Sequence, residues 1–106
     1  MTVPPSVPGH LLTDLTDLPA TRLNDAAALS AAVIAAGAAL GLMTHGTPVV
    51  RGGPLGTAIA LLAHGGHIIV HADPAAGRCL VDILVPGTGS PERGLAVMIR
   101  RLGSTT

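Results

Sequence analysis

The sequence predicts an α+β fold: a two-layer sandwich in which two helices cover one face of a largely antiparallel sheet. Three observations predict it. Two apolar runs with period-two alternation flank Gly65-Gly66, a two-residue hairpin signal because both glycines accept positive φ. An alanine-rich run, Ala26–Ala39, follows Asn24 or Asp25 as its capping residue. Near the end, Glu92–Leu102 repeats Leu95, Met98, Ile99 and Leu102 at helical spacing.

In chain order, residues 1–9 contain Pro4, Pro5 and Pro8 and predict a flexible arm, with residues 10–103 forming one domain. His10–Leu15 is a strand and 16–24 a loop. The helix Ala26–Ala39 offers Leu29, Val33, Ile34 and its small alanines to the sheet and ends near Gly37 or Gly41. Leu42–His45 starts a second strand, and the Gly- and Pro-rich stretch 46–56 is a loop. Strands follow at Thr57–His64 and His67–Asp73, a turn at Pro74–Gly77, and a strand at Cys79–Val85 that Pro86-Gly87 ends. Pro91 stands where the last helix starts. The predicted order is β-α-β-β-β-β-α.

Composition narrows the function. The chain has 106 residues, no Phe, Tyr or Trp, and a formal net charge of +0. Without a basic patch or stacking aromatics it does not read as a nucleic-acid binder. Cys79 is the only cysteine, which excludes an internal disulfide and a Cys-based zinc site and leaves it as a packing residue. The apolar run Ala26–Met43 reads as a buried helix rather than a membrane span, because alanine dominates it and Gly37 and Gly41 interrupt it. With no charged-then-apolar leader at the N-terminus, the expected location is the cytoplasm. A domain this small, lacking aromatics, gains stability by burying surface in an oligomer.

The stretch His64–Pro74 holds three of the five histidines. With Gly65-Gly66 as the turn, His64 and His67 stand opposite each other, roughly 5 Å apart at Cβ. Alternation places Ile59, Leu61, Ala63, Ile68, Val70 and Ala72 on a core face. Ala58, Ala60, Leu62, His64, His67, Ile69, His71 and Asp73 share the other, a candidate pocket floor. Three chemical readings of that floor stand open. Metal binding is disfavoured because His67 and His71 lie roughly 13 Å apart along a strand. Acid–base chemistry suits histidine near neutral pH. The third reading is histidines that are hydrogen-bonded at an interface or solvated, with Asp73 as a turn residue.

The order of these elements, from about residue 9 to 102, resembles the small prokaryotic S-adenosylmethionine decarboxylases, pyruvoyl enzymes of polyamine synthesis. Gly9-His10-Leu11-Leu12 is similar to that family's Gly-Lys/Arg-His-Leu opening, and Leu23-Asn24-Asp25 to the start of its first helix. Gly56 stands at the glycine of its Gly-Val-Ser stretch. His67-Ile-Ile-Val-His71 with Pro74 is similar to its Ser-His-x-Ser/Thr-Ile-His-Thr-Trp/Tyr-Pro-Glu motif, and Leu80-Val-Asp-Ile-Leu84 to its Val-Asp-Val-Phe strand.

The resemblance implies a homodimer with its active site near the subunit interface. It also implies what has been lost. The family precursor cuts itself between Glu and Ser, and those positions are Gly65 and Gly66 here. Glycine has no hydroxyl for the N→O acyl shift. The family's catalytic cysteine aligns with Pro86, its Gly-Val-Ser serine with Ala58, its acidic residue with Ala75 and its aromatic with Asp73. The chain also lacks lysine for a pyridoxal phosphate Schiff base.

The expectation is therefore a pyruvoyl-free relative with no cofactor and no metal. His71 and His67 act as acid or base on a noncovalently bound small molecule, in an isomerisation, cyclisation or elimination. His64, Asp73 and Ile69 contact that molecule. The alternatives are a silent partner of a paralogous decarboxylase, or a ligand-binding homodimer.

Overall fold

The computed structural model describes residues 9–103. Residues 1–8 of the expected arm lie outside them. Gly9 does not behave as part of an arm: its carbonyl accepts from the Val85 N–H at 2.8 Å, joining the first strand to the last.

Eight elements follow: β1 (His10–Leu15), α1 (Ala20–Leu23), α2 (Ala26–Ala39), β2 (Val49–Gly53), β3 (Gly56–Ala63), β4 (Gly66–Asp73), β5 (Arg78–Leu84) and α3 (Glu92–Leu102). The five strands form one antiparallel sheet in the order β1-β5-β4-β3-β2. β1 is laid down at one edge and α2 carries the chain to the other. The meander β2–β5 then returns until β5 pairs with β1. The two ends of the sequence meet in this way, and His10 comes to lie beside residues more than seventy positions later.

α2 starts where Asp25 caps it, the carboxylate accepting from the Ala28 N–H at 3.0 Å. Leu29, Ala32, Val33, Ala36 and Gly37 are its buried stripe. Gly37 packs on the sheet so closely that a methyl group on it would come within 2.8 Å of Leu61 Cδ2. Ile34, expected against the sheet, is half exposed because it lies one residue, about 100°, off that stripe. Met98 and Leu102 anchor α3 in the same core. The opposing sheet residues are Ile59, Leu61, Ile68, Val70, Ala72, Cys79, Val81 and Ile83, so the core face follows the expected alternation. Burial pushes the Cys79 thiol up to about 12, with the nearby Asp14 charge adding to the shift, which keeps it a neutral packing group.

The structure corrects three local expectations. The loop 16–24 contains the short helix α1, which buries Leu23. Leu42–His45 is not a strand; only Thr44 bridges to Ala63, with His45 N–H donating to the Leu62 carbonyl at 2.7 Å. The next strand is instead Val49–Gly53, inside the stretch expected to be loop. As an edge strand it tolerates its glycines, and Val50 packs against the core.

The third correction concerns the hairpin. Ala63 pairs with Gly66, so the two turn residues are His64 and Gly65, with Gly65 at φ +70. His67 therefore faces Leu62 and not His64. Gly66 is not free for the turn because it lies in β4 against β5, where any Cβ would collide with the Leu84 carbonyl oxygen. The slip moves every cross-strand partner by two residues. Two is the period of the strand, so the assignment of faces survives.

Candidate functional site

The face of the sheet away from the helices presents its side chains in transverse rows set by the register. His10, Leu84, His67 and Leu62 form one row; Leu12, Asp82, Ile69, Ala60 and Val49 the next; Asp14, Leu80, His71, Ala58 and Arg51 the third. Asp73 and Arg78 pair beyond them. His67 and His71, the two expected catalytic residues, thus lie at opposite ends of the face with the half-buried Ile69 between them.

At one end Asp82 joins two rings. Its Oδ1 accepts from His10 Nε2 at 2.7 Å and from His67 Nε2 at 3.2 Å. With the carboxylate ionised, both rings donate Nε2–H to it. Partial burial alone would raise the Asp82 pKa. The hydrogen bonds and positive charge of His10 and His67 outweigh it and hold the carboxyl below its usual 3.8.

A carboxyl whose folded pKa is depressed stabilises the fold above its unfolded pKa, and that contribution is lost as pH falls through the folded value. Asp82→Asn is therefore less stable than the parent at pH 6, and the difference between them shrinks below pH about 4. Urea unfolding at pH 6 and pH 3 checks this; a gap unchanged by pH contradicts it. The effect is modest, since the Asp82 side chain is 31% exposed.

At the other end lies a cleft of about 580 Å³, lined by Asp14, Arg51, His71, Asp73, Arg78 and Leu80 together with the β2–β3 turn. The His71 side chain is exposed there, and among the described residues no side chain or backbone group is hydrogen-bonded to it. Asp73 contributes to the wall, but its Oδ1 accepts from the Ala76 N–H at 3.2 Å and caps the turn. The turn role weighed for it from sequence is the one its hydrogen bond shows. His64 is elsewhere: on its turn, its ring lies 4.1 Å from that of His45, away from both the cleft and Asp82.

Sequence reasoning placed His67 and His71 on the correct face but missed His10 and Asp82. The signal for Asp82 was a lone carboxylate within Cys-Leu-Val-Asp-Ile-Leu at an outward position. Nothing in periodicity announced that β1 would join β5.

Comparison with known proteins accounts for this architecture. A family model described as S-adenosylmethionine decarboxylase matches residues 9–106. The chain belongs to that family. The solved structure of the adenosylmethionine decarboxylase from Aquifex aeolicus is similar at a TM-score of 0.75 and 19% identity, over 92% of this chain and 81% of that one. No curated protein matches the chain. The two-layer α+β sandwich is thus the decarboxylase fold. Among the described residues no helix is long and apolar enough to cross a membrane.

Pro86 lies against Gly65 and Gly66: a methyl group on Gly65 would come 3.2 Å from Pro86 Cβ. Ala58 is part of the His71 cleft.

Proposed function

We propose that this chain is a member of the S-adenosylmethionine decarboxylase family that forms no pyruvoyl group at Gly65–Gly66. It binds a small molecule noncovalently in the His71 cleft, where histidine supplies acid–base catalysis. The observation that carries this reading is Gly66. It has no hydroxyl, and its α-carbon is pressed so tightly against the Leu84 carbonyl that a serine side chain does not fit the closed hairpin. The residues here do not suit the family's prosthetic group, and no step of the proposed chemistry runs through it.

The His71 imidazole, exposed between Arg51, Arg78 and Asp14, has the surroundings of a general acid or base beside an anionic or zwitterionic ligand. His67, held by Asp82 in the far row, is a poorer candidate for direct proton transfer within the same cleft. Isomerisation, cyclisation and elimination each need only such a group and no electron sink.

A thermal-shift screen of small metabolites, S-adenosylmethionine among them, identifies the ligand, because a binder raises the melting temperature by mass action. His71→Ala then weakens turnover or binding of the hit by at least about tenfold. An unchanged His71→Ala variant sinks the assignment.

The outer face also supports pairing with a second copy. Leu12 is 61% exposed and Leu62 49%, while Leu80 also faces solvent from the same side. A homodimer that covers this face encloses the cleft; a paralogous decarboxylase is the other occupant. Light scattering of the purified chain at twice the monomer mass supports the homodimer. A monomer that associates only with an intact decarboxylase supports the silent-partner role.

A further inference from the structure

We propose that His10, His67 and Asp82 form a site for one divalent metal ion of the zinc class. The site stands apart from the His71 cleft and does not depend on the function proposed for it.

Three observations converge on this assignment. First, the donors already group as ligands do. His10 Nε2 and His67 Nε2 lie 2.7 and 3.2 Å from the same Asp82 oxygen, and all three donor atoms fall within 4.8 Å of one another. Metal–ligand bonds of about 2.0–2.2 Å place neighbouring ligand atoms roughly 3 Å apart, so an ion enters with small side-chain rotations.

Second, the donors come from three adjacent strands. β1, β5 and β4 contribute one each, and His10 and His67 flank the same residue, Leu84. The backbone ladder fixes their spacing, which lowers the ordering cost of binding.

Third, the donor set is selective in kind. Two imidazoles and one carboxylate suit zinc and its first-row neighbours better than calcium or magnesium, which favour oxygen alone. Cys79 cannot compete, because it is buried on the opposite face. Three protein ligands on a partly exposed face leave a coordination position open to water or a small ligand, as in catalytic rather than structural zinc sites.

The competing histidine pair is His45 and His64, whose rings lie 4.1 Å apart at the hairpin turn. It has no carboxylate in the group and supplies the control.

The test is calorimetric titration of the full chain with zinc chloride after chelator treatment. The expected result is one ion per chain. His10→Ala, His67→Ala and Asp82→Asn each weaken binding at least about tenfold, and the double variant His45→Ala/His64→Ala leaves it unchanged. Absence of binding, or one-per-chain binding that survives His67→Ala and Asp82→Asn, overturns the site and leaves a hydrogen-bonded His–Asp–His cluster. So does binding lost only in the His45/His64 variant. Should a variant fail to fold, histidine ring NMR of the unaltered chain decides the question. Zinc is expected to shift the His10 and His67 rings and leave His45 and His64 in place; the reverse pattern overturns the proposal.

Discussion

Ile68→Ala lowers the free energy of unfolding by about 2–5 kcal/mol. Ile68 is fully buried in β4, paired across the ladder with Leu61 of β3 and Ile83 of β5. α2 covers it at Gly37, the one point in that helix stripe without a side chain to close over a void. Relaxation is poor because no neighbour is large: the core consists of Leu, Ile, Val, Ala, Met and Cys, with no aromatic ring to swing into the space. In a domain whose whole stability is about 5–15 kcal/mol, that loss is large. For about 100 residues each kcal/mol corresponds to roughly 4–8 °C in melting temperature, so Tm falls by at least about 8 °C. Far-UV circular dichroism during thermal and urea unfolding is the measurement, since the chain has no tryptophan to follow. A loss below about 1 kcal/mol contradicts the packing described for this layer.

Gly66→Ser destabilises the protein by about 1–3 kcal/mol and does not produce cleavage. Its new Cβ meets the Leu84 carbonyl, a backbone atom held in the β4–β5 ladder, and the adjacent Pro86 ring cannot move aside without moving the turn. A hydroxyl at this position therefore lacks both space and partners for an acyl shift: the preceding residue is Gly65, and the neighbour packed against it is Pro86. Intact mass reads the outcome directly. A single chain of full length, melting below the parent, is expected. Two fragments meeting at residues 65 and 66 would show that the hairpin accommodates the acyl shift once a hydroxyl is supplied, and would overturn the packing argument at Gly66.

The legible parts of the fold were those governed by local rules. Asp25 and the alanines after it placed α2 at its observed bounds, and alternation along β3 and β4 assigned their faces correctly. The errors arose where a tertiary partner decided the outcome. Val49–Gly53 has the glycine content of a loop, and only pairing with β3 makes it a strand. The turn fell on His64-Gly65 rather than Gly65-Gly66 because β5, remote in sequence, presses on Gly66. The same non-locality hid half of the candidate site. His67 was visible in its histidine-rich strand, but His10 and Asp82 join it only through a β1-β5-β4 order that no single segment encodes. Family membership was legible because motif order survives where motif residues do not.

The alternation of the central strands has a consequence for how such a protein changes. On β4, residues 68, 70 and 72 answer to the core, while 67, 69, 71 and 73 answer to whatever occupies the open side. On β5 the parity is reversed, with 79, 81 and 83 inward and 80, 82 and 84 outward. Folding and chemistry are therefore written on alternate letters of the same words. A reactive group can be erased from one set, and another introduced, while the letters that specify the fold stay as they are. An old scaffold can in this way be left intact and silent at one position, yet open to a new ligand two residues along.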